Sequence, residues 1–308
     1  MSVEYAIIVK NKTRLESLIE RFNTRAQARF YIESMGGSFE DYEAEHEIFH
    51  TSLLHIQTQL SQVIKHKTVE RKYVSSFLFS DNQFIVVVGQ DGLVANTAKY
   101  SRGIPIVAVN PDVERYDGVL LPFSVHNFRD GAESVISGRF NSRTVPFAEA
   151  KLNDGQRLLA FNDIFIGASS HISARYKITF NDATEEHSSS GIIVSTAAGS
   201  TGWLSSIFNM AYGVSSMFTE GLQPSSIKLD SSELLFAVRE PFKSRRTQVD
   251  ICTGIIEQRN ELIVESLMPA YGVIFSDGIE SDFLKFNSGY IARIGVAHET
   301  ACLVENPI

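Results

Sequence analysis

Short apolar runs alternate with helix-like segments along the first half of the chain. The runs are rich in β-branched residues and predict buried strands at residues 4–9, 84–88 and 104–109. The segments between and after them predict helices at residues 12–35, 41–65, 93–100 and 125–137. This alternation predicts an α/β domain, in which helices cover a parallel sheet.

The second half of the chain has a different pattern. Short β-rich runs separated by turn residues predict strands at residues 144–147, 158–166, 176–180, 191–195, 234–238, 249–252, 261–265 and 272–275. Helical periodicity is confined mainly to residues 205–218, and residues 185–190 predict a turn. We therefore expect an α/β domain over residues 1–138 and a β-rich domain over residues 139–308. Whether the last strands pack back on the first domain is left open.

Composition narrows the class of protein. The 308 residues suffice for two domains, and 44% hydrophobic with 21% charged residues is typical of a globular protein. A net charge of −8 argues against nucleic acid as the main partner. No apolar run reaches membrane-spanning length, and the start of the chain lacks a leader pattern, so we expect a cytoplasmic protein without membrane contact. Cys252 and Cys302 are too few for a disulfide framework or a cysteine zinc site, and we expect buried thiols.

A glycine-flanked aspartate follows the second predicted strand, in the sequence Gly89-Gln90-Asp91-Gly92. Parallel sheets bind ligands at the carboxyl ends of their strands, and glycines let backbone N–H groups approach a phosphate. A carboxylate at Asp91 could orient a substrate hydroxyl and accept its proton during phosphoryl transfer. The alternative is a plain strand-to-helix turn in which the aspartate caps the helix, and the motif alone favours that alternative.

Two polar residues, Asn162 and Asp163, interrupt the apolar run at residues 158–166. Polar side chains are costly to bury unless they are paired. An asparagine beside an aspartate can bind the two hydroxyls of a ribose. A bulge or turn between two strands would explain the pair equally well.

The segment 191–203 carries the strongest indication of a ligand site. A buried strand is followed by small and hydroxyl residues before a predicted helix, among them Ser195, Thr196, Gly199, Ser200 and Thr201. Small residues permit close approach of a ring or a phosphate, and hydroxyl groups supply hydrogen bonds. Trp203, the only tryptophan, could stack on a base or fill the core. The concentration of such residues favours a ligand site over a plain glycine- and serine-rich loop.

We interpret a histidine pair and a short basic segment as solvated surface rather than as binding sites. His46 and His50 are four residues apart on a predicted helix, and we expect them to be solvated rather than to bind zinc. The basic residues at 243–246 predict a solvated loop.

Together and in this order, the three motifs resemble the NAD kinase family. In that family a Gly-Gly-Asp-Gly turn is followed by an asparagine–acidic pair and then by a loop of glycine, serine and threonine. The order of motifs and the α/β-then-β arrangement agree over nearly the whole chain. Further stretches look most similar to the mitochondrial-type NAD kinases and their bacterial relatives, at residues 110–115, 161–167, 173–176, 189–191 and 236–241.

The resemblance implies a fold of the NAD kinase/diacylglycerol kinase type, with NAD held between the two domains. It implies that Asp91 contacts the adenosine ribose and assists phosphoryl transfer to its 2′-hydroxyl, which makes NADP. The donor would be ATP or polyphosphate, with Mg²⁺ or Mn²⁺ bridging its phosphates, and the protein would be a homodimer or larger assembly. The remaining candidate nucleotide-binding residues are Gly89, Gln90, Gly92, Asn110, Asn162, Asp163, Ser195, Thr196, Gly199, Ser200, Thr201 and Trp203.

The chain departs from the family at the aspartate turn and before the hydroxyl-rich loop. Gln90 replaces the second family glycine, Leu93 replaces a threonine, and Ser190 stands where many bacterial members have an aspartate. The first two departures concern donor-phosphate binding more than NAD binding. Two alternatives therefore stay open: an NAD(P)-binding homologue without kinase activity, and a kinase of another acceptor. The Asn162-Asp163 pair and the hydroxyl-rich loop favour a nucleotide over a lipid.

Overall fold

The computed structural model describes residues 3–219, 229–230 and 232–306, without the side chain of Ser281. The chain divides into two compact units. The first unit comprises Met1–Thr144 with Ala301–Ile308, and the second comprises Val145–Thr300. The predicted division into two domains with a boundary near residue 138 stays a proposal.

The first unit is an α/β structure. Its strands are β1 (Tyr5–Lys10), β2 (Lys65–Glu70), β3 (Gln83–Val88), β4 (Pro105–Asn110) and β5 (Phe123–Ser124). Its helices are α1 (Arg14–Phe22), α2 (Arg25–Ser34), α3 (Phe39–Ser61), α4 (Asp91–Ala98) and α5 (Phe128–Ile136). A 3₁₀ turn covers Arg71–Ser76.

The strands of the first unit form a parallel sheet in the order β2-β1-β3-β4. β5 pairs with β4, and so do Cys302 and Leu303 near the end of the chain. Residues 84–88 of β3 are all buried, so both faces of the sheet are covered. A strand covered on both faces needs a continuous apolar run rather than an alternating one, which is the pattern that predicted it. The α/β prediction is confirmed.

The second unit is β-rich, as predicted. Its strands are β6 (Ser142–Leu152), β7 (Arg157–Ala160), β8 (Asp163–Ala168), β9 (Ala174–Phe180), β10 (Ala183–Ser189), β11 (Ile192–Thr196), β12 (Leu234–Val238), β13 (Thr253–Ile256), β14 (Leu262–Ser266), β15 (Gly272–Ser276), β16 (Ile279–Lys285) and β17 (Ile291–Val304). The described part of the unit also contains the helix α6 (Trp203–Ser215). β6 begins, and β17 ends, in residues of the first unit.

Two antiparallel sheets share the core of the second unit. One contains the path β10-β9-β14-β17, and the other has the order β13-β12-β11-β8-β15-β16. Tyr176 and Val264 from the first sheet lie in one buried cluster with Ile164, Val194 and Phe236 from the second. Burial of these inner faces is the main stabilising term for the unit.

Two local predictions are wrong. Residues 185–190 do not form a turn, because 183–189 form β10 at the edge of its sheet. Most of its side chains are polar and at least partly exposed, so no apolar alternation marked the strand. The strand predicted at residues 249–252 is also misplaced, because the nearest strand, at Thr253–Ile256, begins four residues later.

The predicted exposure of the basic segment is confirmed, and the predicted burial of the two cysteines is not. The basic residues at 243–246 are exposed in an irregular segment, as predicted. Cys252 and Cys302 are free thiols but are partly exposed rather than buried. None of the described helices combines the length and apolarity needed to cross a bilayer.

Candidate active site

Asp91 lies just beyond the carboxyl end of a central parallel strand. β3 ends at Val88, and Asp91 is the first residue of α4. Its half-buried carboxylate does not cap the helix; instead Oδ1 accepts a hydrogen bond from the backbone N–H of Leu120 at 2.7 Å. Within the described ranges, no hydrogen bond engages Oδ2. One oxygen therefore fixes the carboxylate, and the other can accept a proton from a ligand.

The loop after β4 holds this anchor in place. Asn110, the buried last residue of β4, donates from Nδ2 to the carbonyl of Tyr116 at 2.8 Å. Its Oδ1 accepts from the N–H of Asp112 at 3.0 Å. Gly118 has φ +64°, and a Cβ there would lie 2.7 Å from Asn110 Nδ2. Asn110 thus shapes the loop that carries the Leu120 N–H, which makes it a positioning residue for Asp91.

The turn before Asp91 accommodates Gln90, which stands where the NAD kinase family has a second glycine. Gln90 has φ −110° and ψ 167°, an extended backbone that any residue adopts, and its side chain is exposed. A Cβ on the buried Gly89 would lie 2.9 Å from Leu93 Cδ2, so the buried leucine fills the space against this glycine. A Cβ on Gly92 would meet no atom within 4 Å. The fold therefore has no steric need for glycine at 92.

The pair Asn162-Asp163 lies at the break between β7 and β8, so a turn is present here as one alternative predicted. The backbone N–H groups of Phe161, Asn162 and Asp163 donate to the carboxylate of Asp277 at 3.1, 2.6 and 3.3 Å. The Asp277 N–H donates back to the Asp163 carbonyl at 3.0 Å. Asp163 is buried and Asn162 is half-buried. Both side chains stand on a turn whose backbone is fixed by a carboxylate.

Asp277 is a site residue that the sequence analysis missed. It occupies the turn between β15 and β16 with φ +53°, followed by Gly278. An Asp-Gly pair between two β-rich runs is a hairpin signal, and it was the available indication. Its function of holding the 161–163 backbone, more than a hundred residues earlier, has no local signal.

We expect Asp277→Ala to lower the free energy of unfolding by about 2–3 kcal/mol, because three backbone N–H groups lose a charged acceptor. The change is measured by urea denaturation. Asp182→Ala is the matched control, since Asp182 also has a left-handed backbone (φ +67°) and its carboxylate has no hydrogen bond within the described ranges. Equal stability losses in the two variants would mean that the backbone conformation, not the carboxylate, matters.

The hydroxyl-rich loop is anchored on the same turn. The Thr196 N–H donates to the carbonyl of Asn162 at 2.9 Å, and its Oγ1 donates to the carbonyl of Phe161 at 2.6 Å. The same Oγ1 accepts from the Gly199 N–H at 3.1 Å. A Cβ on Gly199 would lie 2.1 Å from the carbonyl oxygen of Asn162, so only glycine fits there. Thr196 and Gly199 are therefore needed for the shape of the loop.

The other hydroxyl groups of the loop differ in their availability. Ser195 is fully buried and its Oγ donates to the carbonyl of Thr196 at 3.0 Å. Ser200 Oγ donates to the carbonyl of Ala197 at 2.7 Å. Thr201 is exposed and lies two residues before α6. A role for these residues in nucleotide contact stays a prediction, for which Thr201 is the most accessible.

Trp203 begins α6 and belongs to an aromatic cluster. Its ring stacks on Phe165, with centroids 5.7 Å apart and planes 8° from parallel, and lies 6.4 Å from the ring of Phe275. The Arg239 guanidinium lies over the indole at 5.4 Å. These four side chains border a cavity of about 640 Å³, which falls within the size range of small-molecule sites. The cavity lies entirely within the second unit.

Comparison with known proteins identifies relatives over part of the chain. No protein-family model matches it. The NAD kinases of Saccharolobus islandicus and Saccharolobus solfataricus are each 26% identical to it over 147 residues. That alignment covers 47% of this chain and 57% of the relatives' own length, so the match spans little more than half of those proteins.

Solved structures resemble the chain over most of its length. The crystal structure of yeast NADH kinase complexed with NADH has a TM-score of 0.59 and 16% identity, covering 100% of this chain and 84% of that one. An NAD kinase from Archaeoglobus fulgidus in complex with ATP has a TM-score of 0.56 and 15% identity, covering 98% and 94%. These likenesses confirm the predicted fold, and the sequence relatives confirm the resemblance to NAD kinases that the motifs indicated.

Proposed function

We propose that this chain is an NAD kinase, which transfers a phosphoryl group from ATP to the adenosine-ribose 2′-hydroxyl of NAD and so makes NADP. The observation that carries the proposal is the state of Asp91. Its carboxylate follows a central parallel strand and is fixed through Oδ1, and no hydrogen bond from the described part of the chain engages Oδ2. This is the arrangement that a base for a ribose hydroxyl needs.

The proposed step is a direct displacement. The 2′-oxygen forms a bond to the γ-phosphorus of the donor while the bond to the leaving diphosphate oxygen breaks. The hydroxyl proton passes to Asp91 Oδ2. Asn110 contributes by shaping the loop whose Leu120 N–H holds Oδ1.

The turn around Gly92 is proposed to bind the donor phosphates. Gly92 is exposed at the start of α4, where the first backbone N–H groups of a helix lack intrahelical partners. In this turn the Leu93 N–H already donates to the Gln90 carbonyl at 2.8 Å, so the N–H groups of residues 90–92 are the ones proposed to face the phosphates. The N-cap residue, Gln90, makes no side-chain capping bond. The helix dipole favours an anion at this end.

The second unit is proposed to supply nucleoside-binding groups. Asn162 and Asp163 would bind hydroxyl groups, and Thr201 and Trp203 would contact a base or ribose. The other candidate residues of the loop would act by shaping it. The hydroxyl groups of Ser195, Thr196 and Ser200 make hydrogen bonds to backbone carbonyls. Gly199 donates its N–H to Thr196 and has no space for a side chain.

Mg²⁺ or Mn²⁺ is the proposed cofactor, and it would neutralise charge on the transferred phosphates. Among the described residues, no group of three potential metal ligands includes Asp91. That fits a cation held chiefly by donor phosphates and water, as Mg²⁺ commonly is. The family resemblance alone supports the further proposals of a homodimer and of a relationship to the mitochondrial-type NAD kinases. A cytoplasmic location is proposed from the sequence pattern.

The proposal is tested by incubating the purified chain with NAD, ATP and Mg²⁺ and measuring NADP with a coupled NADP-specific dehydrogenase. We expect turnover. If no product forms with NAD or NADH, with ATP or polyphosphate, and with Mg²⁺ or Mn²⁺, the kinase proposal is wrong. NADP binding by calorimetry in that case would identify a nucleotide-binding protein without phosphoryl transfer.

Gly92→Ala is expected to separate stability from activity. The added methyl group meets no protein atom, so the free energy of unfolding should stay constant or rise by up to about 1 kcal/mol. The KM for ATP should rise about tenfold, because the methyl group blocks phosphate approach to the backbone. Gly213→Ala on α6, where a Cβ also has open space, is the control for both measurements. An unchanged KM would remove Gly92 from the donor site.

A further inference from the structure

Three potential metal ligands from two helices meet in the first unit. They are Glu16 on α1 with His46 and His50 on α3. One ligand atom from each lies within 4.8 Å of the other two, and no other such group occurs within the described ranges. The two histidines are one helical turn apart on the same face, with ring centroids separated by 4.3 Å. All three are half-buried, and each histidine contacts a side chain at or near the start of α1.

The carboxylate of Glu16 is oriented by the start of α1. Its Oε2 accepts the backbone N–H of Thr13 at 2.7 Å in a capping box. Its Oε1 then faces His50 Nε2 at 3.1 Å. Two ligand atoms at about 2.0–2.1 Å from a tetrahedral zinc ion lie about 3.3 Å apart. The separation in the structure is therefore close to the one that such an ion needs.

His46 is oriented by the same threonine. Its Nδ1 lies 2.9 Å from Thr13 Oγ1, which also accepts the Glu16 backbone N–H at 3.2 Å. If Nδ1 carries the hydrogen and donates it to this hydroxyl, Nε2 has the lone pair. Metal-binding histidines are commonly held in this way by a hydrogen bond from the other ring nitrogen.

Neighbouring positive charge opposes a bound cation. Lys10 Nζ lies 3.9 Å from Glu16 Oε1, and the charge of Arg25 also acts on His46. A hydrogen bond between His50 and Glu16 would by itself account for that single contact. It does not account for the convergence of all three ligands on one face with two of them oriented by Thr13.

We propose that Glu16, His46 and His50 bind one divalent transition-metal ion, of the chemistry of Zn²⁺, with water as a further ligand. Two imidazoles and a carboxylate suit zinc, cobalt and nickel better than Mg²⁺. His50 and Glu16 keep 38% and 26% of their side-chain surface exposed, so an ion can enter from solvent. The bound ion links α1 to α3, and the site uses none of the residues proposed for NAD or ATP.

The test uses the full chain freed of metal with EDTA and titrated with Zn²⁺ in a calorimeter, without nucleotide. We expect one ion per chain. We expect each of the variants His46→Gln, His50→Gln and Glu16→Gln to weaken Zn²⁺ binding about tenfold or more. Loss of a group that only hydrogen-bonds to a metal ligand already costs about tenfold, so loss of a ligand itself should cost at least as much. His55→Gln on the same helix and Glu20→Gln on α1 are matched controls that should bind like the native chain. Thermal unfolding should shift upward with Zn²⁺ in the native chain and the controls only.

The absorption spectrum of bound Co²⁺ gives a second measurement. It reports metal coordination, so it would show no bands if Glu16, His46 and His50 only packed the two helices together. Co²⁺ in a site with imidazole ligands should give visible bands in the native chain that are lost in His50→Gln. Equal Zn²⁺ affinity in the three ligand variants and the two controls would overturn the proposal, and so would no binding of Zn²⁺, Co²⁺ or Ni²⁺. Circular dichroism verifies folding, and if His46→Gln fails to fold, the more exposed His50 decides the outcome.

Discussion

Asp91→Asn is expected to reduce NADP formation by at least about 100-fold while the protein stays folded. Asparagine has nearly the same shape, and its side-chain oxygen can still accept the Leu120 N–H that holds Oδ1 in the native chain. The amide cannot accept the hydroxyl proton. The variant therefore removes the proposed base and keeps its anchor.

The rate is measured with the coupled dehydrogenase assay, and folding by circular dichroism and thermal unfolding. Asp81→Asn is the control, because Asp81 is exposed in the turn just before β3. We expect native turnover from it. A native rate from Asp91→Asn would show that this carboxylate is not the base, even if the chain is an NAD kinase.

Gly199→Ala is expected to lower the free energy of unfolding by about 3 kcal/mol. The new Cβ would lie 2.1 Å from the Asn162 carbonyl oxygen and 2.6 Å from its carbon. These are backbone atoms of a turn that Asp277 already holds, so they cannot move aside as a flexible side chain does. The loop would have to detach, with loss of the Thr196 hydrogen bonds to residues 161 and 162.

Urea denaturation measures the stability loss, and calorimetry measures the affinity for NAD. Gly213→Ala again serves as the control, since it adds the same methyl group in open space and should not destabilise the chain. The proposed nucleoside site predicts weaker NAD binding in Gly199→Ala under conditions where the variant is folded. Unchanged stability would mean that the loop can move far enough from the Asn162 carbonyl to accept the methyl group, and would contradict the prediction.

Asp91→Asn and Gly199→Ala should separate phosphoryl transfer from NAD binding. Asp91→Asn acts on the proton acceptor and should leave NAD affinity near the native value. Gly199→Ala acts on the loop that carries Thr201 and Trp203 and should change affinity as well as stability. Loss of turnover in the first with loss of affinity in the second would support the distinct functions proposed for the two segments.

Local pattern was sufficient for the elements with a strong periodic signal. β3 and β4 are continuous β-branched runs because both of their faces are covered, and the long helix α3 has apolar residues at helical spacing. The position of Asp91 followed from these, since a polar turn after a buried parallel strand lies at the ligand-binding edge. The edge strands β2 and β10 were missed because polar, exposed residues dominate them.

The sequence by itself thus determined the α/β-then-β order, the aspartate after β3 and the small residues of the 196–201 loop. Only the tertiary structure decided which group holds each of them. Asp91 is fixed by a backbone N–H 29 residues away, and the Asn162 N–H by a carboxylate 115 residues away. Glu16 and His50 likewise meet across 34 residues. Such contacts depend on how strands and helices pack, and local periodicity contains no information about packing partners at that distance.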